Sequence, residues 1–396
     1  MPRTRPAIRV MWRVCHINAG TPQPYFVSAP SATCRCGVEG NLDAKSLGMN
    51  RGEIRGVSRS IVGIVLVGTL VGTALGAPTA FADEVTKIST DTVSEDGSRI
   101  TDVEYIDDRN IRLQVYSAAM DAEFPVEVER PADVSVPRPT LYLLNGAGGG
   151  QDDASWQARS DARQFMADKN INLVQPIGGR FSYYTDWRED DPVLGRNKWK
   201  TYLTDELPPL INAALGTNGV NAVAGISAST ATVLALPIAR PDLYRAAAAY
   251  SGCAQTSDPI GSKFLEAVIA WGGGNAENMW GPVDSPEWTE NDPYLHADKL
   301  RGIDLYLSSG NGLPGKYDTL DGAHAEPGLD GLTNQILFGG VIEAAANYCM
   351  KNLQAKLISL GIPATYNFDE GTHSWGYWED ELKRSWPVLA HGLGLT

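Results

Sequence analysis

Two stretches, residues 99–105 and 111–116, alternate polar and apolar side chains. A strand points successive side chains to opposite faces, so this period predicts antiparallel strands with one wet face. Pro131, Pro137 and Pro139 then break the chain. Beyond them the pattern changes. Short, mostly apolar runs occupy residues 140–144, 171–175, 221–226, 246–250, 303–307 and 364–368. Helical periods separate them, at 156–168, 231–238, 335–360 and 377–389. Apolar strands alternating with helices predict a mostly parallel sheet covered on both faces, an α/β fold. Residues 254–300 interrupt the rhythm. They are rich in Trp, Gly, Asn and Pro, with Trp271, Trp280 and Trp288 among them, and read as an inserted lid. No internal repeat or low-complexity tract is visible.

The first 82 residues follow another logic. Residues 1–48 have no sustained period, and Met49 is the expected true start; the stretch before it reads as a mis-start or a disordered segment. Arg51, Arg55 and Arg59 precede the apolar run 61–72, and Ala80-Phe81-Ala82 forms a small-x-small site before Asp83. That layout predicts a signal peptide over 49–82 and an exported domain over 83–396. A membrane anchor is the competing reading, but the run falls short of the ~20 residues of a span and is broken by Gly and Thr. No later stretch is long enough to cross a bilayer.

Charge narrows the function. The formal net charge is −14, although residues 1–82 carry nine Lys/Arg against three Asp/Glu. That leaves 24 basic and 44 acidic residues in the rest of the chain. So acidic a body excludes nucleic acid as a partner, because phosphate binding needs cations. Of five cysteines only Cys253 and Cys349 fall in the exported part. They form either one disulfide or two buried thiols. Cys15, Cys34 and Cys36 lack the spacing of a metal-ligand set, so neither a metal nor a cofactor is expected.

Candidate chemistry centres on Gly225-Ile226-Ser227-Ala228-Ser229. An apolar strand ends at a glycine, a serine follows, and a helical pattern begins. Strand, sharp turn, nucleophile and helix are the layout of a nucleophile elbow, although Ser229 replaces the final glycine of G-x-S-x-G. An ordinary strand-to-helix turn capped by Ser227 is the bland alternative. A serine needs a base. His373 lies in the loop after the last strand, where an α/β hydrolase places its histidine. His296, His324 and His391 sit in the insert, in a Gly-rich loop and near the end of the chain. By order the acid is Asp304, Asp318, Asp321, Glu326, Asp330 or Glu343, and spacing puts Glu343 only slightly ahead. Two backbone N–H groups must face the developing oxyanion. Ala228 supplies one by position. Ala147, in the glycine-rich loop Asn145-Gly146-Ala147-Gly148-Gly149-Gly150, is assigned the other. Neither the Walker nor the dinucleotide glycine pattern fits that loop.

Longer runs carry a resemblance. They are Leu141-Tyr142-Leu143-Leu144-Asn145-Gly146 with Gln151-Asp152-Asp153, Ser182-Tyr183-Tyr184-Thr185-Asp186-Trp187, residues 201–208, Gly225-Ile226-Ser227, Asn291-Asp292-Pro293, Gly310-Asn311-Gly312 and Gly371-Thr372-His373-Ser374-Trp375-Gly376-Tyr377-Trp378. Together, over about residues 100–392, the chain resembles the mycolyltransferases, the antigen-85-type secreted esterases, and among them the corynebacterial branch. The resemblance implies an α/β-hydrolase fold and a Ser227–Glu343–His373 triad. It implies a secreted, cell-envelope acyltransferase that takes a mycolyl group from trehalose monomycolate through an acyl-enzyme. The acceptor would be a second trehalose ester, another envelope glycolipid or arabinogalactan. It places Asn145, Asp186, Trp187 and Trp375 near the sugar and acyl sites. Better-known members have Asp-Gly-Leu-Arg where this chain has Asn145-Gly146-Ala147-Gly148, so an acid and an arginine that hold trehalose are missing. A plain secreted carboxylesterase and a non-catalytic surface binding protein are the other readings.

Overall fold

The computed structural model describes Ile88 and residues 90–395. The expected upstream segment and signal peptide therefore lie outside the described residues. One nine-stranded sheet organises the rest, in the order β1-β2-β3-β5-β4-β6-β7-β8-β9. Strands β1 (Arg99–Tyr105), β2 (Asn110–Ser117) and β3 (Ala122–Glu129) form an antiparallel edge. β3 also pairs antiparallel with β5 (Asn172–Pro176). From there the sheet is parallel, through β4 (Thr140–Leu144), β6 (Asn221–Ile226), β7 (Tyr244–Tyr250), β8 (Asp304–Gly310) and β9 (Thr365–Asp369).

The apolar runs are explained by two cores, one on each face. Tyr142 and Leu144 of β4 enter one, Leu141 and Leu143 the other. Val223 of β6 and Ala247 and Ala249 of β7 join the first, with Ala222, Ala224, Ala246 and Ala248 in the second. Helices Leu207–Leu215, Thr230–Ala239 and Gly340–Ser359 cover the first face. Trp156, Met166 and the closing helix Trp375–Gly392 cover the second. A strand in this position can spare no residue for water, so its sequence loses the period of two.

Several expectations are corrected. β3 was not expected, because Pro125 interrupts its pattern; it pairs across Gln114 of β2 all the same. The helix expected over 156–168 is two short helices, Trp156–Arg159 and Ala162–Met166, parted at Ser160 in extended backbone. The long helix starts earlier than residue 335. Gly328–Asn334 is helical, a π-helical turn spans Gln335–Gly339, and Gly340–Ser359 completes it. The insert contains three α-helices, Pro259–Trp271, Ala276–Trp280 and Pro286–Glu290, and ends in the 3-10 turn Ala297–Leu300. Trp280 and Trp288 are buried within it, whereas Trp271 is 74% exposed. Among the described residues no helix is long and apolar enough to cross a membrane.

Candidate active site

Parallel strands bring their carboxyl ends to one edge of the sheet, which is where loops from neighbouring strands can meet. Ser227 is the first residue after β6, and its φ is 55°. A non-glycine residue in this left-handed region is strained and marks a functional turn. The packing around it is tight. A Cβ on Gly225 would lie 2.4 Å from Ser229 Oγ, and one on Gly252 would lie 2.4 Å from the Ser227 carbonyl. Ser229 is buried and donates its hydroxyl to the Ile226 carbonyl at 2.9 Å. A polar residue is thus accommodated where the usual motif has glycine.

His373 reaches the same point from the loop after β9. Its Nε2 is 2.9 Å from Ser227 Oγ, and its Nδ1 is 2.7 Å from Glu343 Oε2. With the imidazole proton on Nδ1, that nitrogen donates to the carboxylate and Nε2 is left to accept from the serine hydroxyl. The ring stands edge-on to Trp378, centroids 4.8 Å apart, and the His373 N–H donates to the Gly339 carbonyl at 3.3 Å.

Glu343 lies on the long helix with its side chain fully buried. An isolated buried carboxylate is costly, so its partners matter. Oε1 accepts from Ser251 Oγ at 2.8 Å, Ser309 Oγ at 2.9 Å and Gly310 N–H at 2.6 Å. Both oxygens are engaged, and Oε2 is held toward the imidazole. No local string singles out Ser251 or Ser309. Each lies at the carboxyl end of a strand on the β7–β8–β9 side of Ser227, and that position is the signal to look for.

The other candidates are elsewhere. His391 pairs with Asp304, Glu326 with Arg159, and Asp321 and Asp330 are exposed. Asp318 holds a loop, Thr372 and Tyr377. His296 contacts the Thr289 carbonyl, and His324 lies 3.6 Å from Glu379.

The glycine-rich loop after β4 passes beside the nucleophile: a Cβ on Gly146 would sit 3.5 Å from Ser227 Cβ. Gly149, at φ +66°, allows the loop to approach Gly178, whose carbonyl a Cβ would meet at 2.3 Å. The Ala147 carbonyl accepts from Phe181 N–H at 2.6 Å. Ala228 lies in the 3-10 turn Ser227–Ser229 that leads into helix Thr230–Ala239, where the first N–H groups have no intrahelical acceptor. Ala147 and Ala228 border a third apolar cluster with Tyr183, Trp187, Leu194, Leu265, Val268 and Trp280. Burial pushes the Tyr183 phenol well above the usual tyrosine value, so it stays protonated.

Three of the side chains expected near substrate also make contacts within the protein. Asn145 is fully buried and its Oδ1 accepts from Trp156 N–H at 3.0 Å. Trp187 is 1% exposed and donates its indole N–H to the Ser182 carbonyl. Trp375 packs between Trp156 and Trp378. All three side chains are buried, and Trp187 lies in the apolar cluster that also holds Ala228. The half-buried Asp186 accepts from Thr201 N–H at 3.0 Å and Thr201 Oγ1 at 2.7 Å. Cys253 and Cys349 form a disulfide.

Comparison with known proteins gives the family and the fold. Residues 117–388 match the Esterase family model, described as "Putative esterase". The chain is 32% identical to the diacylglycerol acyltransferase/mycolyltransferase Ag85A of Mycobacterium ulcerans, over 87% of this chain and 95% of that protein. It is 32% identical to the Ag85B protein of Mycobacterium avium, over 72% and 83% respectively. The structure of Mycobacterium tuberculosis MPT51 superposes with a TM-score of 0.59 at 25% identity, covering 72% of this chain and 98% of that one. An S-formylglutathione hydrolase from Agrobacterium tumefaciens shares the fold alone, with a TM-score of 0.54 at 15% identity over 74% and 99%. The chain belongs to the antigen-85 mycolyltransferase family of α/β-hydrolase esterases.

Proposed function

We propose that this protein is a secreted serine acyltransferase of the cell envelope. It moves a mycolyl group, a long-chain 3-hydroxy acyl chain, from trehalose monomycolate to a second trehalose ester or another envelope acceptor such as arabinogalactan. The observation that carries the reading is the unbroken chain from Ser227 Oγ through the His373 ring to the buried Glu343 carboxylate. In the first half-reaction Ser227 Oγ attacks the ester carbonyl carbon while His373 Nε2 takes its proton. Glu343 steadies the imidazolium. The N–H groups of Ala147 and Ala228 hold the oxyanion. The tetrahedral intermediate collapses by breaking the bond to the sugar oxygen, which leaves with the proton from His373. An acyl-serine remains. An acceptor hydroxyl then gives its proton to His373 and attacks, releasing Ser227.

The match to acyltransferase relatives supports an acyl chain as the transferred group. Partition toward a sugar acceptor needs water kept from the acyl-enzyme, and the insert over 254–300 is assigned that task. On this reading residues 49–82 direct export and 83–396 form the enzyme domain. The match to the esterase family favours one other outcome, hydrolysis to the free acid. Mass spectrometry of products from purified protein and a trehalose monoester decides between them. Diester plus free trehalose is the expected result. Free acid alone, with trehalose monoester present in excess, would sink the transferase reading.

A further inference from the structure

Asp318 lies in the loop between β8 and the long helical run, and both of its oxygens accept two hydrogen bonds. Oδ1 takes the Thr372 hydroxyl at 2.5 Å and Gln335 Nε2 at 2.8 Å. Oδ2 takes the Tyr377 hydroxyl at 2.7 Å and Gly315 N–H at 2.7 Å. The four donors come from three separate segments. Gly315 belongs to the loop itself, Gln335 to the π-helical turn, and Thr372 and Tyr377 flank His373.

We propose that Asp318 is the positioning residue of the His373 loop, holding the imidazole in line with Ser227 and Glu343. The inference rests on the triad reading. Thr372, which precedes His373, is 1% exposed and is gripped by Asp318 directly. Ser374, which follows it, receives Gln335 Nε2 on its hydroxyl at 3.2 Å, and that same amide is held by Asp318. The backbone is therefore fixed on both sides of the histidine. Tyr377 adds a third restraint. Its ring closes over Gly371, where a Cβ would come within 2.6 Å, and Tyr317 packs edge-on against it at 5.1 Å. Burial, then the bond to Asp318, raises the Tyr377 phenol above the usual tyrosine value, so it remains a donor.

The chemistry asks for a carboxylate. An ionised carboxyl is acceptor-only and offers about four lone-pair sites, which is the number of donors that converge here. An amide of the same size would present its NH2 to one pair of donors. Gln335 also sits one helical run before Glu343, so the same carboxylate ties the histidine loop to the helix that carries its acid partner. Small displacements are enough to matter, since misplacing a catalytic group by about 1 Å can cost on the order of 100-fold in rate.

The test compares D318N, T372V and their double variant, with S227A as the reference, on a short-chain p-nitrophenyl ester. Labelling of Ser227 by a fluorophosphonate is followed in parallel. D318N and T372V are expected to lower kcat by about 10–100-fold with KM within about twofold, and to slow labelling by the same factor. The double variant should be slower than D318N by less than the product of the two single effects, because T372V removes one of the contacts that D318N weakens. A merely structural role would lower the active fraction without changing the rate per labelled site. T372V, nearly isosteric, carries the test if near-UV circular dichroism shows that D318N has loosened the fold. Parent-like kcat in D318N and T372V beside an inactive S227A overturns this inference alone. Parent-like turnover by S227A overturns the triad reading and this inference with it.

Discussion

Strand β2 buries every second residue, whereas β6 buries all six of its residues. The two belong to different halves of one sheet. In the antiparallel edge, β1 to β3, neighbouring strands end at opposite sides, and each supplies one face to the core. In the parallel half, β6, β7 and β8 end side by side. The residues just past or at those ends are Ser227, Ser251 and Ser309 with Gly310. Chemistry collects where strand ends align, and the antiparallel edge supplies core area without such a meeting point. If this division is right, substitutions in one half change turnover and those in the other change stability.

Ser227→Gly is the sharpest break. It removes the hydroxyl and also relieves a positive φ that only glycine adopts freely. Ester turnover should fall by at least about 10,000-fold. Stability should rise by roughly 1 kcal/mol, the scale of strain held at such a site. Turnover assays and urea denaturation on the same preparation check both. A variant that is slower but no more stable would mean the turn is not strained.

The disulfide lies wholly in the parallel half. Cys253 lies two residues after Ser251, and Cys349 lies six after Glu343 on its helix. The bridge spans 96 residues of sequence. Replacing both cysteines by serine should cost about 2–5 kcal/mol of stability. It should also lower kcat severalfold, because the strand end that feeds Glu343 Oε1 and the helix that carries Glu343 lose their tether. Loss of stability with kcat intact would show that the helix is placed by packing alone.

Leu113→Ala tests the other half. Leu113 is fully buried on β2 in the core shared with Val126 and Tyr202. The substitution should cost about 2–5 kcal/mol. Turnover per folded molecule should be unchanged, as read by denaturant unfolding beside active-site titration. A matching drop in kcat would mean the sheet transmits strain across its width.

The parallel half was legible because its code is local. Most of β4 to β9 are short apolar runs, and each was placed within about two residues, the usual uncertainty of element boundaries, except that β8 runs three residues further, to Gly310. β3 was not legible: Pro125 reads as a breaker, and only pairing with β2 makes the segment a strand. The break at Ser160 and the π turn at Gln335–Gly339 were hidden for a similar reason, since tertiary contacts set them. In the candidate site Ser227 and His373 stand in distinctive local strings. Glu343 does not; by order alone it was one of six acids, and what singles it out is burial and three donors that arrive from distant strands. Asn145, Trp187 and Trp375 sit in strings shared with the family, and their burial could not be read from those strings, since tertiary packing sets it.

The smallest effect concerns Glu129, at the end of β3 in the half without chemistry. Its Oε1 accepts from Arg109 at 3.2 Å, while Oε2 has no partner among the described residues. Burial pushes its carboxyl above the ordinary value of 4.5, against the opposing pull of Arg109 and then Arg163. A raised value means that the folded protein binds this proton more tightly than the unfolded chain. The contribution to stability is complete below 4.5 and is lost as pH rises through the raised value. Glu129→Gln carries no titrating proton, so the parent should weaken relative to it between about pH 4 and pH 7. Unfolding midpoints of the two proteins at both pH values measure the difference, and turnover should not follow it. A parent that gains on the variant as pH rises would show the Arg109 ion pair outweighing burial, and the edge strand would then be held by charge as well as by its apolar face.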